Sequence, residues 1–185
     1  MFIQTEPTPN PASLKFLPGR VVMEKGTADF RSDKKATNSL LAQNLFKIEG
    51  VEGVFFGSDF ISITKNQSID WQILKPSILD VIANQFESGT PIMNKLESFE
   101  NDTTSAKDSE IVVQIKELLD TKVRPAVAMD GGDITFSDYK DGIVFLQMKG
   151  ACSGCPSSTA TLKSGIENML KHYLPEVQGV EPVME

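Results

Sequence analysis

What this sequence has little of narrows its chemistry. Basic clusters are missing: 18 Lys and Arg stand against 25 Asp and Glu, for a formal net charge of -7. No stretch of Lys and Arg tracks the phosphates of a nucleic acid. No apolar run approaches the roughly 18 residues that a membrane span needs. The opening Met1-Phe2-Ile3-Gln4-Thr5-Glu6 carries neither a basic-then-apolar secretory pattern nor an Arg-rich amphipathic transit pattern, and we expect a cytoplasmic location. Thiols are scarcest of all. The 185 residues hold two cysteines, one histidine and one tryptophan.

Both cysteines fall in one run, Gly150-Ala151-Cys152-Ser153-Gly154-Cys155-Pro156, between a strand-like segment and a helix-like one. In a reducing compartment a Cys-x-x-Cys points to metal binding or redox chemistry rather than to a structural disulfide. The spacing puts two sulfurs within reach of one metal ion or of each other. A cubane iron–sulfur cluster or a tetrahedral zinc site wants about four ligands. Either a second chain completes the site, or the pair does dithiol chemistry. Pro156 suits a first helical position, whose N–H needs no partner. Such a helix start would turn its free N–H groups and dipole toward the sulfurs and favour thiolate, so we expect a poised, accessible pair.

The chain reads as α/β (α+β), two small two-layer domains joined by a flexible acidic linker. Residues 97–110 are polar, acidic and nearly devoid of core formers, which separates an N-terminal domain over 1–96 from a C-terminal domain over 111–185. In the first, Pro7, Pro9, Pro11 and Pro18 punctuate short extended pieces around Phe2–Glu6 and Leu14–Leu17. Leu41, Leu45 and Ile48 predict a helix over 37–48, capped at Thr37 or Asn38. Val54–Phe56 and Phe60–Ile63 around Gly57-Ser58-Asp59 make a hairpin signal. Leu74, Ile78, Ile82 and Phe86 form the stripe of a second helix. Pro76 is costly inside a helix, which allows a start at Pro76 with Asp70–Lys75 as a separate turn.

The second half predicts helix, strand, strand, helix, strand. Ile111, Ile115 and Leu118 mark the first helix, and Pro125 stands where a helix stop is expected. Asp130-Gly131-Gly132-Asp133 reads as a glycine turn feeding Ile134–Ser137. After a turn at Asp138–Gly142, Ile143–Lys149 alternates with Val144, Leu146 and Met148 on one face. Leu162, Ile166, Met169, Leu170 and Tyr173 form an amphipathic stripe, and Val177–Val183 is long enough for an edge strand.

Three readings compete for the cysteine pair. A thioredoxin-like dithiol enzyme also leads a strand into Cys-x-x-Cys at a helix start. Only 30 residues follow Cys155, too few for the two further strands and helix that fold needs. Zinc shared between two chains satisfies the ligand count as well as an iron–sulfur cluster does. Two unliganded cysteines in a turn are the bland alternative. The remaining candidates are weaker. His172 lies near the end of the last helix, where it meets the dipole. Ser157, Ser158 and Thr159 have no histidine base within reach and read as cap and first-turn residues. Asp130 and Asp133 lack the other ligands of a calcium loop. Trp71 reads as core.

Met129-Asp-Gly-Gly-Asp-Ile134, a hairpin, and Gly150-Ala-Cys-Ser-Gly-Cys-Pro-Ser-Ser158 together resemble the C-terminal domain of NifU-like (Nfu-type) iron–sulfur scaffold proteins. The opening Phe2-Ile-Gln-Thr-Glu-Pro-Thr-Pro-Asn-Pro-Ala-Ser-Leu-Lys-Phe16 is similar to the N-terminal domain of their alphaproteobacterial and mitochondrial members. The resemblance implies a 4Fe–4S cluster held between two subunits, each contributing Cys152 and Cys155. It implies a carrier, not an enzyme, with a second copy of itself, cluster-assembly machinery and apo iron–sulfur proteins (aconitase-like and lipoyl-synthase-like) as partners. Two cysteines per chain in a dimer agree with the ligand count made from the residues alone.

Overall fold

The structure is a computed structural model that describes residues 1–94, 109–154 and 156–183, the side chains of 156–158 excepted. It divides into two units, Met1–Phe99 and Glu100–Glu185. The expected linker lies outside the described residues apart from Ser109 and Glu110. The latter already opens a helix.

The first unit is an antiparallel sheet under two helices. Its strands are β1 (Gln4–Pro7), β2 (Ser13–Leu17), β3 (Ala28–Phe30), β4 (Val51–Phe56) and β5 (Ile61–Lys65), in spatial order β1-β2-β5-β4-β3. The β4–β5 hairpin forms where expected, and the short edge strand β3 had no legible pattern of its own. Helix α1 (Leu40–Phe46) is capped by Ser39, whose hydroxyl accepts the Ala42 N–H, rather than by Thr37 or Asn38. Ser39 Oγ also donates to the Ile92 carbonyl at 2.6 Å, so its choice as cap is tertiary.

Helix α2 (Trp71–Ser88) starts at Trp71, with Asp70 accepting the Gln72 N–H, and Pro76 is inside it. The Asp70 cap fixes the start, and burial of Leu74 and Ile78 offsets the carbonyl bond Pro76 cannot make. Leu41, Leu45, Leu74, Ile78 and Ile82 pack on Phe16, Val54, Phe56, Ile61 and Ile63 as one core.

The second unit stacks helices on a three-stranded sheet. Helix α3 (Glu110–Leu118) runs through a widened π turn, Leu119–Val123, into α4 (Arg124–Met129). Pro125 therefore does not stop the helix. It sits in the first turn of α4, where a missing N–H costs little. Then come β6 (Gly132–Lys140), β7 (Ile143–Gly150), α5 (Pro156–Tyr173) and β8 (Gly179–Val183).

The sheet order is β6-β7-β8, with β6 antiparallel and β8 parallel to β7, so α5 is the crossover. The turn predicted at Asp138–Gly142 tightens to Asp141 and Gly142, both at positive φ. Val144, Leu146 and Met148 face the core and the alternate residues of β7 are half-buried. Ile166 and Leu170 of α5 close that core, whereas Tyr173 is exposed.

Candidate metal centre

The Cys152 loop is built on a glycine turn at each side. Gly150 ends β7 at φ 63° and folds the chain back, so that the Ala151 N–H donates to the Gly131 carbonyl at 3.2 Å. Ser153 donates to the Gly150 carbonyl at 3.1 Å, and Thr159 on the first turns of α5 donates its hydroxyl to the Cys152 carbonyl at 3.3 Å. The loop thus rests on the start of β6, where Gly132 pairs with Gly150.

A Cβ at Gly132 would stand 2.5 Å from Cys152 Sγ, 2.7 Å from the Lys149 carbonyl oxygen and 3.1 Å from the Cys152 nitrogen. Glycine is required there by close approach. The turn Asp130–Asp133 feeds a strand as expected, and it also forms the floor beneath the thiol. Only the first of these roles was legible.

Cys152 is a free thiol with 6% of its surface exposed, a member of the second unit's core together with Ile134, Met148 and Ile166. The expectation of an accessible, thiolate-favouring sulfur is corrected for Cys152. Burial pushes its thiol up to about 12, and the charges of Asp130 and Asp133 add to the rise. The cause is the Gly150 turn, which swings the side chain over β6 instead of leaving it in solvent. Cys155 lies outside the described residues, as do the side chains of Ser157 and Ser158.

Next to Gly132, Asp133 is 4% exposed and held by a two-pronged ion pair: Arg124 Nε to Oδ1 and Nη2 to Oδ2, both 2.9 Å. The third guanidinium nitrogen, Nη1, reaches Asp120 at 3.0 Å. Burial disfavours the charge on Arg124, but the bonds and charge of Asp133, then of Asp120, outweigh it and raise its pKa. Sequence reasoning missed this pair, since nine residues separate Arg124 from Asp133 and no periodicity links them.

The other candidates separate from the site. His172 is exposed, with its ring 5.1 Å from that of Tyr173. Trp71 belongs to the first unit's core margin and donates to the Pro11 carbonyl. No three His, Cys, Asp or Glu side chains converge on a metal position among the described residues.

The donor set suits a thiophilic group. Both cysteines of the sequence fall between β7 and α5, and among the described residues nothing lies within 4 Å of a Cβ built at Gly154, at φ 82°.

Residues 3–89 match the family model "Scaffold protein Nfu/NifU N terminal", and residues 115–181 match "NifU-like domain". A human protein named "NFU1 iron-sulfur cluster scaffold homolog, mitochondrial" is 53% identical over 186 aligned residues, covering 100% of this chain and 73% of its own length. The chain belongs to the Nfu/NifU-like scaffold family.

A plant relative in that family, "NifU-like protein 4, mitochondrial" of Arabidopsis thaliana, is 53% identical over 98% of this chain and 65% of its own length. The chain spans 66% of the length of several Drosophila relatives with the same name as the human one. A solution structure of a NifU-like protein from Saccharomyces cerevisiae aligns with 51% of this chain and 86% of its own, at 29% identity and a TM-score of 0.47. These names correct the cytoplasmic expectation, because relatives matched along essentially the whole chain are named mitochondrial. The opening residues were a poor guide to compartment.

Proposed function

We propose that this chain carries a 4Fe–4S cluster between two copies of itself, ligated by Cys152 and Cys155 of each, and hands it to apo-proteins. One observation supports the reading: both cysteines of the sequence fall within the five residues between the end of β7 at Gly150 and the start of α5 at Pro156. Two chains then supply the four thiolates that such a cluster takes. Family membership and the relatives' names support the scaffold role. The mitochondrion is the compartment that fits, and apo iron–sulfur proteins, aconitase-like and lipoyl-synthase-like ones included, are the recipients. The work is transfer of cargo rather than turnover catalysis.

The geometry gives that work a physical form. In the unloaded chain Cys152 is protonated and packed on Gly132, so loading has to release its proton and bring the sulfur outward. A site shared across two chains can be opened one ligand at a time by an incoming thiolate as the copies part. Residues 1–96 form the N-terminal Nfu-type domain, 97–110 the linker and 111–185 the cluster-binding domain on this reading. The first holds no cysteine.

Anaerobic reconstitution with iron and sulfide tests the proposal. A brown dimer with about four irons per two chains, which restores apo-aconitase in the presence of an external iron chelator, is the expected result. A colourless zinc-loaded dimer, or a full cluster on a monomer, would overturn it. Fragment 107–185 should load and fragment 1–96 should not.

A further inference from the structure

The Asp120–Arg124–Asp133 cluster has no task in the transfer just described. We propose that Arg124 and Asp133 are positioning residues that seat the Cys152 thiol and thereby set how firmly the chain holds its cargo. The inference rests on the reading of Cys152 as a cluster ligand.

A short series of fixed contacts leads from the guanidinium to the sulfur. Both carboxylate oxygens of Asp133 are engaged by Arg124, each at 2.9 Å, and Oδ1 also accepts the Ile134 N–H at 2.8 Å. A planar fork on a carboxylate fixes orientation as well as distance. Asp133 therefore cannot turn without breaking three bonds. Gly132 precedes it directly, pairs with Gly150 and lies against Cys152 Sγ closely enough to exclude a methyl group. Gly131, one residue earlier, accepts the Ala151 N–H. Every residue from Gly131 to Asp133 thus touches either the loop or Arg124.

The local helix geometry is arranged around the same point. The π turn Leu119–Val123 ends where Arg124 begins, and such widened turns recur at functional positions. Asp120 lies within that turn and takes Nη1 at the exposed side, leaving the two-pronged face for Asp133. A pair serving only to staple α4 to β6 could stand anywhere along their contact. This one stands beside the glycine under the thiol.

The test uses the full chain in unloaded form, labelled with N-ethylmaleimide. Labelling of Cys152 is read by fragmenting the peptide Gly150–Lys163, with circular dichroism melts on the same samples. R124K keeps the charge and loses the fork, D133N keeps the shape and loses the charge, and D120N leaves the Asp133 fork intact. R124K and D133N should label Cys152 at least about tenfold faster than wild type, well below their own melting points, whereas D120N should match wild type.

Loaded R124K should also show an altered visible circular dichroism spectrum and lose iron to a chelator sooner. Unchanged labelling in R124K and D133N would overturn the proposal, as would an equal acceleration in D120N. Acceleration confined to samples already unfolded would also overturn it, leaving the pair a purely structural role. A wild-type chain that loads no cluster would sink the carrier reading, while the labelling comparison would still decide whether the pair seats the thiol.

Discussion

Replacing Gly132 by alanine adds one methyl group at the tightest point beneath the Cys152 loop. The new Cβ would lie 2.5 Å from Cys152 Sγ, 2.7 Å from the Lys149 oxygen and 3.1 Å from the Cys152 nitrogen. Two of the three neighbours are backbone atoms, so a rotamer change cannot clear the site. The φ of Gly132 is not positive, so the backbone itself accepts alanine and the contact alone sets the cost. Overpacking of this kind costs about 1–3 kcal/mol, and alanine's lower unfolded-state entropy offsets only about 0.4–1 kcal/mol. For a unit of this size each kcal/mol moves the melting point by about 4–8 °C. With a net cost of about 1.5 kcal/mol, near the middle of that range, G132A should lower the second unit's transition by roughly 6–12 °C. Calorimetry of the full chain reads that transition. Fluorescence of the single tryptophan, Trp71, reports the first unit and should not move. G165A is the control: nothing lies within 4 Å of its Cβ position on α5, and it should raise stability by up to about 1 kcal/mol. A G132A melting point at or above wild type would refute the close seat.

Three further outcomes are expected. P76A should raise the Trp71 melting transition, by about 1–3 kcal/mol, because exposed Pro76 denies α2 an interior hydrogen bond. C152S should abolish iron binding and also destabilise the second unit by about 1–3 kcal/mol in denaturant titration, since a hydroxyl replaces a buried thiol, whereas C152A should load no iron at smaller cost. Unloaded protein should lose stability above pH 9. Unfolded Cys152 gives up its proton near its ordinary value while the folded thiol holds it to about 12, so the folded state binds more protons across that window and stability falls by up to about 1.4 kcal/mol per pH unit. That slope should vanish in C152A under the same urea titration.

Periodic elements were legible because their signal is local. The α5 stripe, the β4–β5 hairpin and the alternation of β7 all follow from residues a few positions apart, and each appears where the pattern puts it. Departures arise where a partner distant in sequence decides. Ser39 caps α1 because its hydroxyl also reaches Ile92, and Pro76 is tolerated in α2 because Leu74 and Ile78 are buried beside it. Pro125 continues a helix because the preceding turn has widened, and no single residue type announces a π turn. Strand β3, three residues at a sheet edge, carries too few positions for an alternation to show.

At the site the cysteines declared themselves by scarcity, but their surroundings did not. A Cys-x-x-Cys at a helix start suggests an exposed thiolate. The turn at Gly150 instead lays Cys152 on a floor of Gly131, Gly132 and Asp133, whose role depends on strand pairing that the linear order hides. Under the proposed carrier role, in which the chain holds a reactive group and then surrenders it, that arrangement has a chemical logic. A thiol that is buried and protonated when unloaded is a poor nucleophile, protected from oxidation and from stray metal between loads. Protection and release then depend on the same few contacts, so a variant that loosens the floor should make the chain both easier to label and quicker to lose iron. Those two readouts should rise together across G132A, R124K and D133N. A variant that labelled faster yet held its iron as long as wild type would separate the seat from the carrier's work.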